Sequence, residues 1–502
     1  MATDSDTNIT IVAKRSNNIP ICRRIAKKTS RNQRILLTKV RGATAMNPKL
    51  LLAYFGLLLA STCRAGAETG TYAMVGVWAS EGYGRVLDIT DDRLSVFGVT
   101  KVSCVLRTSQ PLDVFLRRIN RINLSEEDKF SYYDEGGITR YDFVRIGSLP
   151  NKCVQARNSQ SNPDPELNFD VFWHSFDENY AFFAARGVDW DAVYSEYRPK
   201  IVAGTTPEDL YRTLTQIIDL LNDRHVSLQG QGFPRRYSGR PGTLANLLQN
   251  RLPEGEEATR TKVIAAIKPI IVEHYLKASS KSAVDGQFTW GWAADGIGYF
   301  SIDSMDGYVS GEDVTLRDSL RLVDDIMDRV IRDLRGAKGI IVDARWNGGG
   351  EDSNALQIAG HFTDQQLLAF TKRARNGDTL TPEQEIFIPW HAVETYSGPI
   401  VYLCSRDTLS AAEIFSMAMM AMPNVTSLGE PTTGALSDTH SVYLPNGWQL
   451  RMSNEVYKAI DGVVYEGVGI PVDVYLPPEK NSTLESYVRL GMDEAIALLQ
   501  AD

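Results

Sequence analysis

The sequence predicts an α/β fold. From Gly291 onward, apolar runs bounded by turn residues alternate with stretches that are periodic at helical spacing. The runs Ile297-Gly298-Tyr299-Phe300-Ser301-Ile302, Gly339-Ile340-Ile341-Val342-Asp343 and Pro399-Ile400-Val401-Tyr402-Leu403-Cys404 read as strands of a buried sheet. Between the first two, Val314 to Leu334 is periodic as a helix, and after the third the apolar stretch from Ser410 to Met422 is another.

The chain has 502 residues, too many for one ordinary core. A prior of about 150 residues per domain suggests two or three folded units. Hydrophobic content of 43% and charged content of 23% are those of a soluble globular protein. The formal net charge of -9 argues against nucleic acid as a partner, because such binding needs a basic face.

In chain order, residues 1–67 read as a leader. Residues 1–45 are polar and rich in Lys and Arg, and Met46 stands where a signal peptide would begin, so it is a candidate true start. An apolar run from Leu50 to Ala60 lies between Lys49 and Ala65-Gly66-Ala67, a small-x-small cleavage site. The run is short of the about 20 residues that cross a bilayer. Cys63 follows Leu59-Ala60-Ser61-Thr62, similar to a lipoprotein pattern except for the Thr before the cysteine, which makes a lipid anchor the alternative leader. The expectation is export to the periplasm or the extracellular space. There Cys104 and Cys153, within one short segment, could pair and leave Cys404 as a buried thiol.

Residues 71–154 read as a small β domain, with stretches such as Met74-Val75-Gly76-Val77-Trp78 broken by Gly and Asp turns. A polar linker follows from Gln155 to Pro165. Residues 166–290 read as a helical subdomain carrying His225, with Phe172, Phe176, Tyr180 and Phe183, then Leu210, Leu214, Ile217 and Leu221, at helical spacing, and a further helix over 256–277. The α/β core occupies 291–478, and a C-terminal helix 479–502.

Three places could carry chemistry. Ser410 opens a helix, where unpaired backbone N–H groups and the positive end of the helix dipole would favour an oxyanion. Taken alone, Ser410-Ala411-Ala412-Glu413 also fits a capping box that merely satisfies those N–H groups. Asn347-Gly348-Gly349-Gly350 follows a buried strand, and reads either as an anion site or as a tight turn. His225 is one of six histidines and by spacing alone has no more claim to catalysis than the others.

Together these segments resemble the S41 peptidase family, which includes the C-terminal processing (tail-specific) proteases and the tricorn core. The resemblance covers about residues 166–478. It rests on Ile341 to Gly350, Leu409-Ser410-Ala411-Ala412-Glu413-Ile414-Phe415, Leu428 to Gly434, Leu444-Pro445-Asn446-Gly447 and Tyr465 to Asp473, in that order. It implies a crotonase/ClpP-like spiral core and a serine peptidase acting on peptides or unfolded protein without cofactor or metal.

The processing proteases place a general-base lysine where this chain has Ala435, which points to the tricorn-like Ser-His-Glu design rather than Ser-Lys. The resemblance then assigns Ser410 as nucleophile, His225 as general base, Glu466 as the supporting acid, and the N–H groups of Gly350 and Ala411 as the oxyanion site. Ser410 and His225 are expected within reach of one another. Tricorn-like enzymes carry a serine where this chain has Arg224, leaving the fourth member open, with Asp223 and Ser437 as candidates. Residues 229–290 lack the Gly-Leu-Gly type loop of a PDZ module, which puts selection of free C-termini in doubt.

The competing reading is a non-catalytic ligand binder on the same fold, as in the interphotoreceptor retinoid-binding proteins. A metal-dependent hydrolase lacks any His-x-x-x-His or clustered carboxylate pattern. The sequence is silent on oligomeric state and cleavage specificity.

Overall fold

The computed structural model describes residues 9–11, 74–125, 128–157, 161–239, 242, 256–311, 314–390, 394–478 and 482–501. The signal-peptide and Cys63 readings lie outside the described residues.

An antiparallel sheet comes first among the described residues. Its order is Ile9–Ile11, Ile119–Ser125, Lys129–Asp134, Arg140–Ile146, Gly76–Ser80, Arg85–Ile89, Arg93–Val99 and Cys104–Pro111. The first of these falls in the segment read as unstructured leader: Ile9-Thr10-Ile11 pairs antiparallel with Leu124, Asn123 and Ile122. Gly and Asp turns break the other runs into hairpins, and alternate residues bury Trp78, Leu87, Leu94, Phe130 and Phe143 on one face. A disulfide joins Cys104 to Cys153, linking the last strand to the helix Asn151–Ala156, while Cys404 is a buried free thiol.

The helices Pro165–Asn179, Phe183–Arg186, Trp190–Tyr197 and Pro207–Leu221 pack around Phe172, Phe176, Leu214 and Ile217. Thr206 caps the last of them through Asp209 N–H, and Asn222, in the left-handed conformation at φ 45°, ends it. This sharp stop sets the direction in which Asp223 and His225 leave the helix.

The main sheet has seven strands, in the order Lys281–Ala283, Phe288–Ala294, Ile297–Ile302, Gly339–Asp343, Ile400–Cys404, Val425–Gly429 and Val474–Tyr475. The first three pair antiparallel, and the pairings from Ile297–Ile302 onward are parallel. The strand Phe288–Ala294 crosses the boundary expected at 290/291. Its hairpin turn at Asp295-Gly296 commits the whole run to the sheet, so the strand pattern begins before Gly291.

The helices Leu316–Asp333, Asp352–Ala359 and Ala411–Met420 cover one face, and Glu256–Ile271 and Leu484–Ala501 the other. Covering both faces explains why Ile340, Ile341 and Val342 are all buried. Among the described residues, no helix is long and apolar enough to cross a membrane.

Candidate active site

Three neighbouring parallel strands deliver their carboxyl ends to one place. Asp343 lies beside Leu403, and Cys404 beside Gly429, so the loops that follow all three strands emerge together. Open α/β sheets place ligands at this edge, because there the loops are free to diverge in shape.

The first two loops are stitched to each other. Ser405 Oγ donates to the Arg345 carbonyl at 2.5 Å, Thr408 Oγ1 to the Ala344 carbonyl at 2.9 Å, and Leu409 N–H to the Asn347 carbonyl at 3.0 Å. Arg345 is itself buried, pairing with Asp343 at 2.7 Å. Asn347 turns the glycine run by accepting Gly349 N–H at 2.8 Å and donating to the Ile302 carbonyl at 3.1 Å.

The close approach explains the glycines. A Cβ on Gly349, at φ 92°, would lie 2.6 Å from Ser410 Cβ and 2.9 Å from Ala411 N; one on Gly350, at φ 144°, would meet Met305 and Asp306 backbone at 2.5–2.6 Å. No side chain fits at either position.

Ser410 has φ 59° and ψ -127°, a conformation normally left to glycine. Such a residue costs about 1–3 kcal/mol and persists only where the surroundings enforce it. Strained strand-to-helix turns of this kind push a serine hydroxyl out of the backbone surface. Glu413 stands at the third helical position in the capping-box arrangement, and its Oε2 accepts Ser410 N–H at 3.2 Å. The Glu413 N–H makes a 2.6 Å bond to the Ser410 carbonyl and also faces the Ser410 side chain as the other half of the capping box. In that contact the hydroxyl oxygen only accepts, so its own O–H stays available to donate. Within the described residues, the N–H groups of Gly350 and Ala411 are likewise not taken up by hydrogen bonds.

The third loop ties this half of the site to the rest. Glu413 is fully buried and also accepts from Thr432 Oγ1 at 2.6 Å, Gly434 N–H at 2.7 Å and Ala435 N–H at 2.8 Å. Burial raises its carboxyl above the usual range, against the pull of these donors. The next two residues turn to a different acid: Leu436 and Ser437 donate their N–H groups to Glu466 Oε2 at 2.8 and 3.0 Å. Burial, reinforced by the Asp223 charge, pushes Glu466 well up, and Arg186 at 3.0 Å opposes it.

Asp223, fully buried, holds the His225 segment. It accepts from the His225 N–H at 2.9 Å, Tyr180 hydroxyl at 2.9 Å and Ser453 hydroxyl at 3.2 Å, with Arg186 Nη2 at 3.5 Å. Burial lowers the His225 pKa, partly offset by Asp223 and by the Ser437 backbone, so its ring is the neutral form near pH 7. His225 Nδ1 is buried with no partner.

The five residues singled out from sequence thus form two groups. Ser410, Ala411 and Gly350 surround one point, and His225 and Glu466 sit with Asp223 and Arg186 around another. Gly434 to Ser437 joins them. Ser410 Oγ and the His225 ring make no hydrogen bond with one another in this structure. Arg186 and Tyr180 were not anticipated, since Ala184-Ala185-Arg186-Gly187 carries no sequence signal, and Glu413 was read only as a cap.

Lys372 does not supply the missing base. It is buried, but it pairs with Glu455 at 2.8 Å and donates to Thr139 Oγ1 at 2.6 Å and Tyr457 at 3.1 Å. Its pKa is raised despite burial, chiefly by the Glu455 charge, which holds it protonated.

Known proteins share this arrangement of segments. Residues 296–476 match the model of Peptidase family S41. Upstream of this S41-matching core, residues 162–219 match the Tricorn protease C1 domain. The carboxy-terminal-processing protease of Bartonella bacilliformis is 24% identical over 181 residues, covering 36% of this chain and 40% of the relative. The nisin-resistance protein of Lactococcus lactis is 26% identical over 156 residues, covering 29% and 49%. The chain thus spans less than half the length of these curated relatives. The crystal structure of a candidate peptidase from Parabacteroides merdae has the same fold, with a TM-score of 0.53 at 23% identity over 67% of this chain and 97% of that one. The S41 match covers the segments that carry Gly350, Ser410, Ala411 and Glu466.

Proposed function

We propose that the chain is an exported serine-type peptidase that cleaves peptide bonds in peptides or unfolded protein through an acyl-enzyme on Ser410. The observation that carries this reading is the Ser410 hydroxyl, its O–H not donated to any acceptor among the described residues, in a strained backbone conformation against Gly349, with two unspent N–H groups beside it. Ser410 Oγ attacks the carbonyl carbon and His225 takes its proton. The carbonyl oxygen, now negative, is met by Gly350 and Ala411 N–H, each such donor being worth about 2.7–4 kcal/mol. His225 returns the proton to the leaving amine, and water attacks the ester by the same route in reverse. Glu466 with Arg186 and Asp223 holds the His225 segment. The Ser410–His225 hydrogen bond is proposed to form when substrate binds, since catalytic hydrogen bonds commonly tighten in the complex.

The core is proposed to be the crotonase/ClpP-like spiral of the S41 peptidases. Export is supported by the Cys104–Cys153 disulfide, which persists in oxidising compartments, and by the likeness to a nisin-resistance protein.

A fluorophosphonate probe tests the reading. The purified chain should be labelled at Ser410 near pH 7, and Ser410→Ala should abolish labelling while keeping the fold. A native chain that stays unlabelled, or a label elsewhere, favours a non-catalytic binder and overturns the assignment.

A further inference from the structure

Away from Ser410, the joint between the antiparallel sheet and the rest of the chain gathers cationic donors with too little acid to meet them. Arg85 comes from the strand Arg85–Ile89, Arg107 from Cys104–Pro111, and His440 from Thr439–Tyr443. The Arg85 guanidinium lies over the rings of Tyr141 and Tyr83, 5.0 and 5.4 Å from their centres, while its Nε is buried without an acceptor. Arg107 lies 5.9 Å from the Tyr443 ring and forms no ion pair among the described residues. His440 is 4% exposed, its ring centre 6.1 Å from that of Tyr83, and its Nδ1 is buried without an acceptor.

Arg107, His440, Gly84, Gly98 and Ser441 line one pocket here, with a volume of about 10 Å³. That is room for one water or one monatomic ion. The electrostatics distinguish the two. Burial and the neighbouring Arg85 depress Arg107 to about 10, and burial with both arginines pushes His440 well below its ordinary value. Asp134 acts on Arg85, but burial pushes its own carboxyl toward the protonated form. Like charges held in a low-dielectric joint repel strongly, and a water cannot neutralise them.

We propose that this joint binds one monatomic anion of the chloride class, held by the Arg107 guanidinium and His440 Nδ1–H between the β domain and the strand Thr439–Tyr443. The size of the pocket selects a single atom over phosphate or sulfate. Gly84, at φ 51°, and Gly98 line it; a Cβ on Gly84 would lie 2.9 Å from the Val99 carbonyl oxygen. The ion fastens the sheet to the strand that directly follows Ser437 and Asp438. This site stands whether or not the chain is a peptidase.

Two measurements on the full chain test it. Thermal unfolding in sodium chloride and in sodium gluconate of equal ionic strength should differ, with Tm about 2–4 °C higher in chloride. Arg107→Met should remove the difference. In crystals of the native protein soaked in bromide, an anomalous peak should lie within hydrogen-bond distance of Arg107 and His440. Equal Tm values in the two salts, a chloride effect that survives Arg107→Met, or a joint holding water with no bromide would each overturn the proposal. The bromide map keeps the test decisive if the variant does not fold.

Discussion

Arg186 Nη2 stands 3.0 Å from Glu466 Oε1, joining residues 280 positions apart in sequence. The same guanidinium donates through Nη1 to the Asn222 carbonyl at 3.0 Å and approaches Asp223 at 3.5 Å. It bridges the two buried acids Asp223 and Glu466, and it links the helix stop at Asn222 to the acid that holds Leu436 and Ser437.

Arg186→Met should therefore reach activity as well as stability. Breaking a buried pair by removing one partner costs about 3–5 kcal/mol. Glu466 then loses the charge that opposes its protonation, and the Leu436 and Ser437 N–H groups lose part of the negative charge they donate to. Denaturant unfolding should show the destabilisation, and kcat should fall more than KM rises. Arg186→Lys, which keeps the charge, should recover part of both. An unchanged kcat in folded Arg186→Met would remove this residue from the account.

The pH dependence follows from His225. Burial places its pKa below the ordinary 6.5, so the neutral base survives to lower pH and the acidic limb of kcat/KM should lie below 6.5. The sign for stability is the same: the unfolded chain takes up the proton first, so this contribution is present above about 6.5 and is lost as pH falls through the folded value. Glu466 acts in the opposite sense. Its raised pKa gives stability at low pH that is lost as pH rises through the folded value. A pH-rate profile with an acidic limb above 6.5 would contradict the assignment of His225.

Ser410→Gly should make a more stable protein than Ser410→Ala. Both lose the hydroxyl, but only glycine is at ease at φ 59°, and the relief is about 1–3 kcal/mol. Tm measurements on the two variants check this directly, with neither taking up a fluorophosphonate.

Gly349→Ala should abolish labelling even though Ser410 remains. The added methyl would sit 2.6 Å from Ser410 Cβ and 2.9 Å from Ala411 N, forcing the nucleophile turn away from the glycine loop. Gly204→Ala makes a useful comparison, because a methyl there would meet nothing within 4 Å and the position needs no left-handed backbone. Equal labelling of the two variants would show that the contact is unimportant.

Tyr83→Phe tests the coupling of the β domain to the core. The Tyr83 hydroxyl donates to Glu455, whose backbone N–H donates to Ser437 Oγ at 3.0 Å, and Ser437 N–H binds Glu466. Loss of this hydroxyl should cost about 0.5–1.5 kcal/mol in stability. A fall in labelling rate at constant fold would place the β domain in the support of the loop.

Much of the architecture is legible in the residues themselves. Val342 and its neighbours are apolar without alternation because helices cover both faces of their sheet, and the glycines of Asn347 to Gly350 mark a place where backbone meets backbone. Ser410 is legible as a helix start. The sequence alone leaves its hydroxyl ambiguous between cap and nucleophile, because the difference lies in a backbone conformation of φ 59° and ψ -127° that no residue type announces.

The tertiary structure decided what lies far apart in the chain. Tyr180, Arg186, Asp223, Ser437 and Glu466 share one buried network because burying an acid without donors is costly, and folding must draw those donors from whichever elements pass nearby. Local sequence sets a helix, a strand or a turn through forces that act over a few residues. The partners of a buried charge are chosen by proximity in space, and no spacing along the chain records that choice.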